Sequence, residues 1–198
     1  MRLFIAIELP EAIKQGIAKI QDGLKQSGGD ANWTRPGGIH LTLKFLGEAP
    51  EEKVPAILQT LRDAATNRGP IRIDVAGAGA FPNLKTPRVL WVGVAGEMDK
   101  LSSLQTAVED GMERLAFSRE ERKFSPHLTL ARIKFPRPRD NWQQKIGEIQ
   151  NVKLGGFVAD HVSLMKSELR RDGAVYTEVG RMELKEPEAR SQNSGERR

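Results

Sequence analysis

Residues 2–9 alternate Leu3, Ile5, Ile7 and Leu9 against Arg2, Phe4, Ala6 and Glu8, and this period of two predicts a strand that Pro10 ends. Ile13, Ile17, Ile20 and Leu24 then recur at helical spacing until Gly28 and Gly29 stop the pattern. Residues 39–47 read as a second strand. Val54, Ile57, Leu58 and Leu61 form the stripe of a second helix, with Glu51 and Glu52 at its positive end and Pro55 tolerated in its first turn.

Ile71, Ile73 and Val75 mark a further strand, residues 81–84 a turn, and residues 88–94 another β-branched and aromatic run. A third helix carries Leu101, Leu104, Val108, Met112 and Leu115 on one side. Strands are predicted at residues 127–133, 157–169 and 174–182. The Gly77-Ala78-Gly79-Ala80 stretch lacks the pattern and following helix of a nucleotide loop and reads as a strand end. Residues 136–139 and the neighbourhood of Asn141 read as a basic surface loop. Residues 186–198 are polar and charged and read as a disordered tail, leaving residues 1–185 as the folded unit. The order of elements suggests a duplicated α+β plan.

Composition narrows the chemistry. The 198 residues contain no cysteine, which removes disulfides, a thiolate nucleophile and sulfur-ligated zinc, and favours a cytoplasmic setting. The apolar stretch at the N-terminus is broken by Glu8, Pro10 and Glu11, too short for a signal core or a membrane span. A formal net charge of +5 favours polyanionic partners, although many basic proteins bind no nucleic acid.

The chain has only three histidines, yet His40-Leu41-Thr42-Leu43 recurs unchanged as His127-Leu128-Thr129-Leu130. On a strand, residues two apart share a face, so each motif presents an imidazole and a hydroxyl on one side and two leucines on the other. Two such strands side by side would converge two imidazoles and two hydroxyls on one cleft suited to a tetrahedral phosphate. One histidine would take a proton from an attacking oxygen while the other gives one to the leaving oxygen. The threonines would hold the non-bridging oxygens, and no metal or other cofactor is called for. A single His-x-Thr is usually only a half-exposed polar face; two identical copies reverse that judgement. His161 lies in no matching motif and reads as a surface or edge residue rather than a zinc ligand.

The motif pair resembles the His-x-Thr-x signatures of the two-histidine phosphoesterases, in particular their RNA 2',3'-cyclic phosphodiesterase branch, also described as 2'-5' RNA ligases. Flanking words resemble that branch too: residues 2–7, Lys44-Phe45-Leu46-Gly47, Phe81-Pro82, residues 88–93, Phe124-Ser125-Pro126, and Ser167, Leu169, Gly173 and Tyr176. The resemblance implies a bilobal, pseudo-twofold α+β fold with two antiparallel sheets facing a central groove and helices outside. It implies hydrolysis of a 2',3'-cyclic phosphate to a 2'-phosphomonoester, with His40 as proton donor and His127 as proton acceptor. Ligation would result from reversal with a 5'-hydroxyl in place of water.

Four residues are candidates for substrate binding. Lys44 shares the strand parity of His40 and Thr42, so it either reaches the cleft or is a solvated lysine. Arg132 comes just after the second motif, although its parity points away from His127. Trp33 and Arg35 precede the first motif in a loop that would border the cleft, where Trp33 would stack on a base or pack in the core. Phe45 and Leu46 read as packing residues, and Trp91 as core or sheet face. The expected partner is RNA or a nucleotide with a 2',3'-cyclic phosphate, with no membrane and a monomer as default. The competing readings are a phosphodiesterase of small cyclic phosphates and a binding protein for RNA ends.

Overall fold

The computed structural model describes residues 1–26, 30–135, 137, 140–170 and 173–186. The first apolar alternation is strand β1 (Arg2–Glu8), and the helical stripe after Pro10 is α1 (Glu11–Gln26), which buries Ile13, Ile17 and Leu24. A two-residue strand, β2 (Asn32–Trp33), and a short 3-10 turn lead to β3 (His40–Glu48), and a second such turn to α2 (Val54–Ala65). The hairpin β4 (Ile71–Phe81) and β5 (Val89–Gly96) precedes α3 (Met98–Arg114) and β6 (His127–Arg132). Then come α4 (Trp142–Ile149), β7 (Lys153–Ala159), β8 (His161–Arg170) and β9 (Gly173–Glu183).

These strands form two antiparallel sheets, one in the order β3-β1-β8-β9 and the other in the order β2-β6-β5-β4-β7. Apart from the short edge strand β2, the orders correspond. Each motif strand pairs with the strand that precedes it across one long helix, β3 with β1 and β6 with β5, so the duplication seen in the motifs extends to the topology. The expected α+β fold with two antiparallel sheets is present.

Helices α2 and α3 pack together, α2 against β8 and β9 and α3 against β3, while α4 lies against β4. Helix α1 reaches across to the second sheet: the buried Gln21 side chain donates to the carbonyls of Leu130 (2.9 Å) and Thr34 (2.7 Å), and an added Cβ at Gly16 would meet Leu154 of β7. One apolar cluster therefore runs through both lobes, from Leu3, Ile5 and Leu41 to Leu90, Leu128 and Leu130. Burial of this continuous cluster is the main force holding the two sheets in fixed relation. Among the described residues no helix is long and apolar enough to cross a membrane.

Three sequence expectations need correction. The apolar run at residues 157–169 is two strands in different sheets, divided at Asp160, because the chain crosses there from the second lobe to the first. The region around Asn141 is not all loop: α4 buries Trp142 and Ile146, whose spacing of four was the available signal. The Gly77-Ala78-Gly79-Ala80 stretch is not a strand end but the second half of β4. Gly77, at φ +76°, sits there in a register shift between Val75 and Ala78. Most of the 136–139 loop and residues 187–198 of the tail lie outside the described residues.

Candidate active site

Strand alternation does what the motif spacing requires. In β3, Leu41 and Leu43 are buried while His40 and Thr42 are half-buried on the opposite face; in β6, Leu128 and Leu130 are buried and His127 and Thr129 half-buried. Both pairs line one groove of about 300 Å³ between the sheets, together with Phe4, Phe45, Arg132 and Tyr176.

Each motif then breaks its alternation at the same place. In β3, Thr42 stands opposite Ala6 and Lys44 opposite Ile5, so Leu43 is an extra residue; in β6, Thr129 stands opposite Trp91 and Ala131 opposite Leu90, so Leu130 is extra. A bulge of this kind puts two successive residues on one side and reverses the parity of the remainder of the strand. Lys44 and Ala131 consequently turn inward, and Phe45 and Arg132 turn into the groove.

This overturns the parity-based expectation for Lys44. The residue is 4% exposed, its ammonium lies 2.5 Å from Glu109 Oε2, and it donates to the Ser118 carbonyl at 2.9 Å. It is tied to α3 and does not face the motif hydroxyls. Arg132 is corrected in the opposite sense: the bulge brings it to the side of His127. Phe45, read as a packing residue, is 63% exposed at the groove wall, whereas Leu46 is buried as expected.

Trp33 packs against Trp142, with ring centroids 6.3 Å apart, and against the core, not over the motif histidines. Arg35 is exposed on the turn before β3, its guanidinium beside Gly173 at the start of β9. Neither lines the groove. Trp91 faces the same side as Thr129, its neighbour across the strands, and packs near Phe81.

Aromatic rings frame each imidazole. Phe4 stacks on His40 at 4.5 Å and Tyr176 meets it edge-on at 5.1 Å; Phe81 meets His127 edge-on at 4.9 Å. In sequence, Phe4 was legible only as a large aromatic on the polar side of an alternating strand, and Phe81 only as part of a turn. Gly38 permits this packing, since a Cβ there would lie 2.9 Å from the Tyr176 ring.

Both imidazoles have a backbone anchor two residues upstream: His127 Nδ1 lies 2.7 Å from the Ser125 carbonyl, and His40 bonds to the backbone of Gly38. A ring nitrogen facing a carbonyl carries the proton, so in the neutral ring Nε2 of His127 is the acceptor nitrogen. Burial pushes the His40 imidazole down from 6.5 to about 4; the Gly38 bond opposes this and the charge of Lys14 adds to it. Burial also lowers His127, against the Ser125 bond and with help from the Arg132 charge. Both shifts favour the neutral imidazole near pH 7.

His161 is separate from this pair. Its Nδ1 lies 2.5 Å from Asp160 Oδ1, and its Nε2 faces Glu8 at 3.9 Å. Glu8, His161 and Glu178 bring one ligand atom each within 4.8 Å of one another, but Ser163 and Arg181 already bond the two oxygens of Glu178. Expected at a surface or edge, His161 is half-buried at the start of β8, an interior strand of the first sheet, and its carboxylate surroundings were not foreseen.

A duplicated α+β fold that directs an imidazole and a hydroxyl from each half into one groove defines the class: a phosphoesterase of the two-histidine type. The chain belongs to the LigT-like phosphoesterase family, whose pattern matches residues 7–91 and again residues 92–176, one match for each motif. It is 38% identical to the RNA 2',3'-cyclic phosphodiesterase of Methanothermobacter thermautotrophicus over 179 residues, 90% of this chain and 96% of that one. With the enzyme of the same name from Thermus thermophilus it shares 34% identity, covering 98% of this chain and 96% of that one. The crystal structure of the Thermus thermophilus protein TT0787 superposes with a TM-score of 0.78 at 33% identity, covering 94% of this chain and 99% of that one. E. coli LigT in complex with 3'-AMP gives 0.71 at 26% identity, covering 92% and 97%.

Proposed function

We propose that this chain hydrolyses the 2',3'-cyclic phosphate at an RNA end to a 2'-phosphomonoester, with the two motif histidines as its acid and base. The observation that carries the reading is the convergence of two His-x-Thr pairs, one from each lobe, on one groove. Relatives that cover nearly the whole chain bear the name of this activity.

His127 takes a proton from water as its oxygen attacks phosphorus. The P–O3' bond breaks, and His40 gives its proton to O3', leaving a free 3'-hydroxyl and a phosphate on O2'. Thr42 and Thr129 donate to the non-bridging oxygens, and Arg132 offsets their charge. The phosphodiester anion favours the imidazolium form of His40 and so loads the acid as it binds. A group with an intrinsic pKa near 4 then surrenders that proton readily. No step needs a metal. The absence of cysteine supports a reducing, cytoplasmic setting.

The test is incubation of the purified protein, in EDTA, with an oligoribonucleotide ending in a 2',3'-cyclic phosphate, followed by mapping of the terminal phosphate. A 2'-phosphate is the expected product. An untouched end, or a 3'-phosphate, refutes the reading.

A further inference from the structure

The groove face of the first sheet holds more than the reacting centre. Phe4, Ala6 and Met165, with Tyr176 against them, form a small apolar cluster there, apart from the main core. Toward the end of β1 the same face turns polar. Glu8 stands opposite His40 in the pairing of β1 with β3, and residues directly opposite on paired strands share a face. His161 opens β8, and Glu178 belongs to β9. These three strands thus bring two carboxylates and an imidazole together, with one ligand atom of each within 4.8 Å of the others. The acid–base reaction uses none of the three.

His161 is set as a ligand rather than as a hydrogen-bonding group. Its Nδ1 lies 2.5 Å from Asp160 Oδ1, so Nδ1 carries the ring proton and Nε2 offers a lone pair. That Nε2 atom is buried and, among the described residues, has no hydrogen-bond partner, while Glu8 Oε2 stands 3.9 Å away. A proton on Nε2 would leave a buried N–H unbonded, and a bare Nε2 aims its lone pair at a carboxylate; both arrangements cost free energy. A cation between the two groups removes both costs. The carboxyl groups of Glu8 and Glu178 also lie against each other, a like-charged contact that the same cation relieves.

The surrounding contacts have the form that metal ligands take, in which each ligand is held from behind. Asp160 fixes the tautomer of His161. Ser163 Oγ, at 2.9 Å, and Arg181 Nε, at 3.0 Å, donate to the two oxygens of Glu178, and each oxygen keeps a second lone pair. Three carboxylates, Glu8, Asp160 and Glu178, outnumber the nearby cations Lys14 and Arg181. An open cavity of about 340 Å³ reaches Glu8 and His161, with space for the waters that complete a coordination shell.

We propose that Glu8, His161 and Glu178 form a binding site for a divalent transition-metal ion such as zinc, which pins β1, β8 and β9 together beside the groove. One imidazole nitrogen with carboxylate oxygens suits zinc and its neighbours, whereas magnesium and calcium take oxygen ligands. Bonds of about 2.0–2.2 Å set neighbouring ligand atoms about 3–3.5 Å apart, so the side chains need only small rotations to close on the ion. The ion stands apart from the acid–base pair, and turnover in EDTA is compatible with it.

The test uses the full chain without an affinity tag, stripped with EDTA, desalted and titrated with zinc chloride in competition with a chromophoric chelator. One ion per chain is expected, with a melting temperature that rises as zinc is added. His161→Ala and the nearly isosteric Glu8→Gln should each weaken binding by about tenfold or more and remove the rise. Asp160→Asn, which acts only through the ring of His161, should weaken it by about 10- to 100-fold. The double variant His40→Ala/His127→Ala, which lacks the other two imidazoles, should bind zinc as the unmodified protein does. Absence of saturable binding overturns the site and leaves His161 an imidazolium among carboxylates. Binding that persists in both His161→Ala and Glu8→Gln, or that is lost from His40→Ala/His127→Ala, puts the ion elsewhere and overturns the site as well. Displacement of zinc by an equal concentration of magnesium overturns the transition-metal assignment.

Discussion

Removing the Lys44 ammonium tests whether the bulge in β3, and not strand parity, decides what this residue does. Lys44 and Glu109 are each 4% exposed, and among the described residues the Glu109 carboxylate has, besides Lys44, only long contacts, Gln105 Nε2 at 3.3 Å and the Glu120 amide at 3.4 Å. Lys44→Ala strands a buried carboxylate with those two weak donors and frees the Ser118 carbonyl. Breaking a buried pair from one side costs about 3–5 kcal/mol. At roughly 2–4 °C per kcal/mol for a chain of this size, the melting temperature should fall by about 6–20 °C. The double variant Lys44→Met/Glu109→Leu should recover most of that loss, because two apolar side chains leave no charge unpaired. Thermal unfolding followed by circular dichroism and urea titration reads the stability of all three proteins; urea is preferred because it does not screen charge. Kinetics on a cyclic phosphate, taken well below each melting temperature, should show little change in KM or its salt dependence. A Lys44→Ala protein of normal stability with a raised, salt-dependent KM would return Lys44 to the groove and defeat the buried-pair account.

His40→Ala and His127→Ala should each abolish most turnover with the fold intact by circular dichroism, since both rings face the groove; full activity in either defeats the acid–base assignment. Thr42→Val and Thr129→Val should each lower kcat by roughly 10- to 1,000-fold, as expected for loss of one transition-state donor. Because His40 binds its proton at about 4 when folded and at 6.5 when unfolded, stability should be full above pH 6.5 and decline as pH falls toward 4. The limit of that loss is about 3 kcal/mol. His40→Asn should flatten this slope in pH-dependent urea unfolding, and an unchanged slope would contradict the burial argument. Gly79→Ala places a Cβ 2.3 Å from the Trp91 ring and should cost about 1–3 kcal/mol by displacing it from beside Thr129, measured as a shift of the urea midpoint.

The groups proposed to react and the fold class were legible in the amino-acid order alone. Strand periodicity assigned His40, Thr42, His127 and Thr129 to one kind of face and their leucine neighbours to the core, and repetition of a four-residue word implied two related halves. These inferences need only local geometry, in which residues two apart on a strand point the same way. The residues one step beyond each motif took their places only through long-range assembly. A bulge inserts its extra residue where cross-strand packing demands it, and nothing in Leu43-Lys44-Phe45 or Leu130-Ala131-Arg132 announces that parity reverses there. The fate of Lys44 further depends on Glu109, which lies 65 residues away in sequence and meets it only when α3 docks on the first sheet. The split of residues 157–169 between two sheets and the carboxylates around His161 are likewise contacts between distant segments. Periodicity constrains one strand at a time, and these features belong to how strands and helices are assembled against one another.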